Sequence, residues 1–139
     1  MKQTPISAFE ETRGMTYFPR MLDKIRKHAN GELREDFHGH LSKRLDMRIC
    51  RYLRVSYNDV CARVADGFSD DEVLTWCFEN GRALDDHDIY IWNEFSRKIG
   101  WSDGASEMLV QRKVDSNLAE RDDIQTMYDY FEYDEDRKT

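Results

Sequence analysis

The chain has 139 residues, which is enough for one ordinary domain with its own core but not for two domains of usual size. Charged residues make up 35% of the chain, but 40% hydrophobic and 12% aromatic residues argue against disorder, because aromatic side chains supply the burial that disordered chains lack. The net charge of -7 argues against a general binder of polyanions, so nucleic acid is not expected as a partner.

Signals for helix starts mark the first half of the chain. Pro19 suits the first turn of a helix, because a proline there loses no hydrogen bond. A second helix is expected at about 42–53. Ser56 and Ser69 are the predicted N-caps of the third and fourth helices, and Ser69 belongs to a capping box with Glu72.

The second half of the chain continues the helical pattern. Acidic residues from position 85 favour another helix start, and the predicted inner face of that helix consists of Ile89, Trp92, Phe95 and Ile99. Two more helices are expected, at about 102–114 and 121–131. The residues expected to end helices in the left-handed conformation are Gly31, Gly67, Gly81 and Gly100.

No segment alternates apolar and polar residues as a strand does, so no sheet is expected. The predicted fold class is all-α, a compact single-domain bundle of six or seven short amphipathic helices. Residues 1–12 are expected to form a flexible N-terminus, residues 13–132 the single helical domain, and residues 133–139 an acidic flexible tail.

Three cysteines, Cys50, Cys61 and Cys77, occur among apolar residues at helical spacing. Buried free thiols of this kind fit a reducing compartment. The first residues lack the apolar stretch of a signal peptide, and no segment approaches the length of a membrane span. A cytoplasmic protein without a membrane partner is therefore expected.

Histidines provide the candidate for a metal site. His38 and His40 flank a glycine and follow Asp36, and imidazole and carboxylate groups suit Zn, Ni or Fe. The H-x-H spacing, however, places the two imidazoles on opposite sides of extended backbone unless the loop bends. Solvated or backbone-bonded histidines are the alternative, and no cofactor is predicted.

Arginines form a row on the second predicted helix. Arg44, Arg48 and Arg51 share one helical face, and planar guanidinium groups bind carboxylates or phosphates bidentately. The alternative is a solvated face that pairs with acids elsewhere, since residues 64–139 carry 20 Asp and Glu against 8 Lys and Arg. The balance is reversed in residues 1–63, with 13 Lys and Arg against 8 acids, and we expect the two halves to attract each other within one fold.

Arg20 and Lys24 lie in the first turns of the first predicted helix, beside Tyr17. If Arg20 turned inward with Asp23, the two would form a buried pair or line a small pocket. A favourable arrangement of caps and charges at the helix start is the preferred interpretation of these residues. Together with the arginine row, Arg20 and Lys24 are the predicted anion-binding groups.

Aromatic residues offer further candidates. Trp76 and Trp92 lie on apolar helical faces and are interpreted as core residues, which leaves Trp101 as a candidate for a ligand pocket. Tyr130 and Tyr133 are interpreted as exposed residues that could contact a partner.

Four segments carry a resemblance to a known family: FPRMLDKIR at 18–26, GEL at 31–33, GFSDDEVLTW at 67–76 and IWN at 91–93. On these residues the chain resembles the bacterial family catalogued as domain of unknown function 5069. The resemblance implies a small, cytoplasmic, bacterial helical protein and brings no activity, cofactor or catalytic residue. Residues 37–44, which include the histidines, do not match the family pattern.

The leading functional hypothesis is a non-catalytic binding module for a protein partner or a small anionic ligand, with a homo-oligomer as a further possibility. The alternative is a metal- or histidine-dependent hydrolase or lyase that uses His38 or His40. An enzyme would gather these groups within a few Å in a concave, desolvated pocket. A binding module would spread them over an open face.

Overall fold

The computed structural model describes residues 2–139, which begin with a short hairpin and continue as helices. Eight helices lie in this range, so the all-α class is confirmed and the expected number of six or seven is slightly low. The elements are β1 (Glu11–Thr12), β2 (Met15–Thr16), α1 (Phe18–Ala29), a 3-10 helix (Glu35–His40), α2 (Leu45–Leu53), α3 (Tyr57–Ala65), α4 (Asp70–Asn80), α5 (Asp86–Ser96), α6 (Ser106–Asp115) and α7 (Met127–Asp134).

The expectation of no sheet is wrong, because β1 and β2 pair in an antiparallel hairpin. Its two turn residues, Arg13 and Gly14, have φ angles of 50° and 82°. Positive φ at both positions is the geometry of a type I′ turn, whose twist matches that of paired strands. Strands of two residues are too short to show an alternating pattern in the sequence.

The described chain divides into two compact units, one ending at Tyr90 and the other beginning at Ile91. In the first unit, α1 packs against α3, α4 and β1. Its predicted apolar stripe of Met21, Leu22 and Ile25 is buried. In the second unit, α6 packs against α7. No helix within residues 2–139 has the length and hydropathy that a membrane crossing requires.

The N-terminal segment is held against α1 by polar contacts. The Asp23 carboxylate accepts a hydrogen bond from the Ile6 amide at 2.9 Å, and Lys27 Nζ donates to the Thr4 carbonyl at 2.9 Å. The flexible segments expected at 1–12 and 133–139, and the single domain expected at 13–132, stay predictions. Met1 lies outside the described residues.

The predicted helix starts are confirmed where a side chain caps the helix. Ser69 Oγ accepts from the Glu72 amide and Glu72 Oε1 accepts from the Ser69 amide, so the capping box is complete. Ser56 caps α3 through the Asp59 amide. The second helix begins at Leu45 and not near residue 42, because Ser42 and Arg44 have positive φ angles, which lie outside the helical region of backbone conformations.

Two further predictions are wrong, one about the burial of a side chain and one about the end of a helix. Phe95 is 47% exposed, although Trp92 and Ile99 are buried as expected. Gly81 has a φ of -126° and does not end α4 in the left-handed conformation. Glycine is needed here because it has no side chain. A Cβ at this position would collide with the carbonyl oxygen of Leu53 and lie 2.7 Å from Val55 Cγ1.

We expect Gly81→Ala to lower the free energy of unfolding by about 2 kcal/mol, because backbone atoms, which cannot move aside cheaply, occupy the position of the new methyl group. Urea denaturation measures the change. Gly104→Ala is the matched control, since a Cβ there meets no atom within 4 Å. Equal stability of the two variants would contradict the close approach.

Candidate functional site

The beginning of α1 carries a buried polar cluster that consists of Tyr17, Lys24 and Asp46. Tyr17 precedes the helix in the left-handed conformation, with a φ of 71°, which is rare for a bulky residue and costs free energy. Lys24 lies two turns further along α1, and Asp46 lies in the first turn of α2. Tyr17, Lys24 and Asp46 are 3%, 4% and 0% exposed.

The polar atoms of the three side chains form a closed triangle. Lys24 Nζ lies 2.7 Å from Asp46 Oδ1 and donates to the Tyr17 hydroxyl at 2.8 Å. The Tyr17 hydroxyl in turn donates to Asp46 Oδ1 at 2.7 Å. A charge-assisted network of this kind offsets the desolvation of two buried ions, which an isolated pair does not always achieve.

The loop before α2 completes the cluster. The Ser42 amide donates to the second carboxylate oxygen of Asp46 at 3.2 Å. Ser42 and Arg44 both have positive φ angles, 67° and 56°. A strained backbone conformation persists where contacts with the surrounding structure stabilise it. Here the hydrogen bond from the Ser42 amide to the Asp46 carboxylate is one of those contacts.

The charge of Asp46 also affects its neighbours on α2 and α3. Burial first, and then the Asp46 carboxylate, raises the pKa of the Cys50 thiol to about 12. The same two causes hold the pKa of the Tyr57 hydroxyl well above its usual value. Both groups are therefore neutral at physiological pH.

Arg20 and Lys24, two of the predicted anion-binding residues, are both buried. Arg20 Nη1 donates to the Ile6 carbonyl at 3.0 Å, and its guanidinium lies 5.9 Å from the centre of the Phe37 ring. The alternative in which Arg20 turns inward to pair with Asp23 is not observed, since Asp23 pairs with Lys27 at 2.7 Å. As ligand-binding groups Arg20 and Lys24 stay predictions, and their observed contacts are internal.

The other three predicted residues, Arg44, Arg48 and Arg51, are exposed. Two further cations, Lys43 and Arg54, flank them and are also exposed. We call these five residues the basic face. Within residues 2–139, the side chains of Lys43, Arg51 and Arg54 make no ion pair.

The histidines lie in and beside the 3-10 helix. His38 Nε2 lies 3.0 Å from the Leu33 carbonyl oxygen, and the His38 ring packs edge-on against His28 with 4.8 Å between ring centres. His40 packs edge-on against Phe37. Both side chains thus have contacts typical of structural histidines.

Asp36, the third predicted metal ligand, binds Arg34. Its two carboxylate oxygens accept from the Arg34 guanidinium at 2.6 and 2.9 Å, and this contact lowers the pKa of Asp36. Among residues 2–139, no group of three or more His, Cys, Asp or Glu side chains is placed to hold a metal ion. The structure therefore does not bring His38, His40 and Asp36 together as a ligand set.

The partner-contact interpretation of the C-terminal tyrosines is wrong for Tyr130. Its ring is buried, and its hydroxyl lies 2.6 Å from Ser116 Oγ. Tyr133 is half-buried and donates to the Asp123 carboxylate at 2.9 Å. Trp101, in contrast, is well exposed.

The fold and this site define a small all-α protein in which a buried lysine–aspartate–tyrosine cluster lies beneath a helix with exposed cations. The chain belongs to the family described as Domain of unknown function (DUF5069), which matches residues 2–137. The resemblance in the four sequence segments is thereby confirmed. No curated protein matches the chain.

We expect Lys24→Met or Asp46→Leu alone to lower the free energy of unfolding by about 3 kcal/mol or more, because each leaves a buried charge without its partner. The double variant should lose less free energy of unfolding than the two single variants lose together. A double-mutant cycle in urea measures this difference. Lys98→Ala is the control, since its pair with Glu94 is exposed and such pairs contribute about 1 kcal/mol or less. Additive losses would contradict a coupled pair.

We also expect the native protein to protect Cys50 and Cys77 from a thiol reagent. Both thiols are buried, which raises the pKa of each to about 12, so very little reactive thiolate forms at mildly alkaline pH. In a Cys61→Ser variant, labelling with Ellman's reagent should require denaturant. Fast labelling of the folded variant would contradict the burial.

Proposed function

We propose that this protein is a non-catalytic binding module whose basic face holds an anionic partner through carboxylate or phosphate groups. The observation that carries this proposal is the position of Asp46. It is the one acid among residues 43–54, which contain five cations, and it is buried against Lys24. The charged side chains that this stretch directs to solvent are therefore all positive.

The spacing of the cations supports multivalent binding. Arg48 and Arg51 lie one turn apart on α2 and Arg44 directly precedes the helix, so two or three guanidinium groups can contact one anionic group or neighbouring ones. Guanidinium groups bind carboxylates and phosphates with two parallel hydrogen bonds, which gives direction as well as charge. A single exposed cation would contribute little, because solvent and salt screen it.

The anionic groups can come from a small molecule, from the acidic surface of a partner protein or from a second copy of this chain. The net charge of -7 does not favour nucleic acid or an anionic membrane surface. We place the protein in a reducing compartment such as the cytoplasm, and the free thiols of Cys50, Cys61 and Cys77 support this.

The alternative function, a metal- or histidine-dependent hydrolase or lyase, has no comparable support. His38 Nε2 lies against a backbone carbonyl, and the carboxylate of Asp36 is held by Arg34. A general base needs hydrogen-bond reach to a substrate in a shared pocket, and these contacts do not form one.

The test compares Arg48→Gln/Arg51→Gln with Arg48→Lys/Arg51→Lys, which keeps the charge. Pyrophosphate and citrate are added in a thermal-shift assay, and labelled poly-L-glutamate is used in a fluorescence anisotropy assay. We expect at least one probe to bind, to bind less tightly at high salt, and to lose about tenfold in affinity in the glutamine variant. The lysine variant should retain most of the binding.

The outcomes separate the sources of the anion. Binding of pyrophosphate or citrate supports a small ligand, and binding of polyglutamate supports an acidic protein surface. A dimer that sediments at low salt and disappears in the glutamine variant identifies a second copy. Absence of all three, or equal binding by both variants, would overturn the proposal. Unfolding of the variants would not explain such a result, because the loss of each exposed arginine should change the free energy of unfolding by about 0.5 kcal/mol or less.

A further inference from the structure

The second unit contains an open groove with a volume of about 430 Å³. One wall is α6, whose Leu109, Val110 and Lys113 line it at helical spacing. The other walls are residues 100–102, before α6, and residues 124–125, before α7. All of these residues lie on the C-terminal side of Tyr90, within one unit.

The walls of the groove expose large apolar side chains. Trp101 is 59% exposed and Val110 is 63% exposed. Val114, one turn after Val110 on α6, is also exposed. An exposed tryptophan beside aliphatic residues is typical of the anchor position in a protein interface.

Backbone contacts fix the shape of the groove. Gly100 has a φ of 102°, and a Cβ there would lie 3.1 Å from Leu109 Cδ2, so the loop approaches α6 closely. The Met127 amide donates to the Ile99 carbonyl at 2.8 Å, and the Asp103 carboxylate accepts from the Gly100 amide. A groove that is already formed binds a partner with a smaller loss of conformational entropy.

The surroundings of the groove are acidic. Residues 100–125 contain six Asp and Glu against three Lys and Arg. Glu107, Glu120 and Asp122 are exposed, and their side chains make no hydrogen bond or ion pair within residues 2–139. Glu107 lies one turn before Val110 on α6, and Asp122 lies two residues before Ile124.

Two of the three cations in residues 100–125 already have partners within the protein. Lys113 Nζ donates to the carbonyl oxygens of Arg121 and Ile124, at 2.6 and 3.2 Å. The Arg121 guanidinium pairs with Asp123 at 2.9 Å. Negative charge therefore dominates the rim around an apolar floor.

We propose that this groove binds a basic amphipathic helix of a partner protein. Apolar residues of the helix would pack against Trp101 and Val110, and its lysines or arginines would face Glu107 and Asp122. A helix suits the site because the groove follows α6, and the described part of this unit has no strand to which an extended peptide could add. This goes beyond the binding of anions by the basic face, since the partner has the opposite charge.

A second copy of the chain does not offer the same combination. Its basic helix, α2, already buries its apolar side chains, among them Leu45, Ile49 and Leu53. The exposed side of α2 therefore has the cations but not the apolar anchors that the groove requires. Charge and apolar contact together favour a different protein.

The test is selection of a random peptide library, displayed on phage, against the full-length protein. We expect the enriched peptides to carry net positive charge and apolar residues at i and i+3 or i+4 spacing. Synthetic copies should bind at least tenfold more weakly to Trp101→Ala and to Glu107→Gln/Asp122→Asn, and more weakly at high salt. Tyr90→Ala is the matched control, because Tyr90 is 60% exposed and lies outside the groove.

Several results would overturn this proposal: no enriched peptide, an acidic or uncharged consensus, or equal binding by wild type and Trp101→Ala. A dimer that Trp101→Ala abolishes would assign the groove to a second copy instead. Circular dichroism checks that each variant folds. Arg48→Gln/Arg51→Gln should leave peptide binding unchanged, so a failure here is distinct from a failure of the basic face.

Discussion

The buried pair of Lys24 and Asp46 is the contact on which the rest of the first unit depends. It joins α1 to α2 and fixes which side of α2 turns inward. Two ions buried in this way are stable together because the Tyr17 hydroxyl and the Ser42 amide complete the hydrogen bonds of the carboxylate. Because the one acid of α2 points into the protein, the arginines on its other side face solvent without an acid of their own helix.

Backbone strain is concentrated around this same contact. Tyr17, Ser42 and Arg44 all have positive φ angles, and each conformation costs about 1 kcal/mol or more. Two of these residues, Tyr17 and Ser42, donate directly to Asp46. Strain in loops is often a sign of a reaction site, but here the strained residues enclose an ion pair whose members contact each other and are almost fully buried. In the proposed binding module, this cluster supports the helix that carries Arg48 and Arg51.

The sequence predicts those features that depend on neighbouring residues. The capping box at Ser69 and the apolar stripe of α1 could be identified because their residues lie within one or two turns of each other. The burial of Lys24 could not be predicted, because its partner Asp46 lies 22 residues away, and an acid in the first turn of a helix is expected on dipole grounds alone. Trp101 was a pocket candidate in the sequence, but the acids around its groove come from segments whose proximity only the fold determines.

The uneven distribution of charge along the sequence corresponds in the structure to particular ion pairs and particular charged surfaces. Some of the expected attraction between the halves occurs in the first unit, where Arg13 pairs with Asp71 and Arg26 with Asp70. These pairs occupy the acids at the start of α4. Within residues 2–139, no ion pair occupies the side chains of Lys43, Arg51 and Arg54 in the basic face, or those of Glu107 and Asp122 beside the groove of the second unit. The same imbalance therefore leaves two surfaces of opposite charge that share no residue, so each can be altered without touching the other.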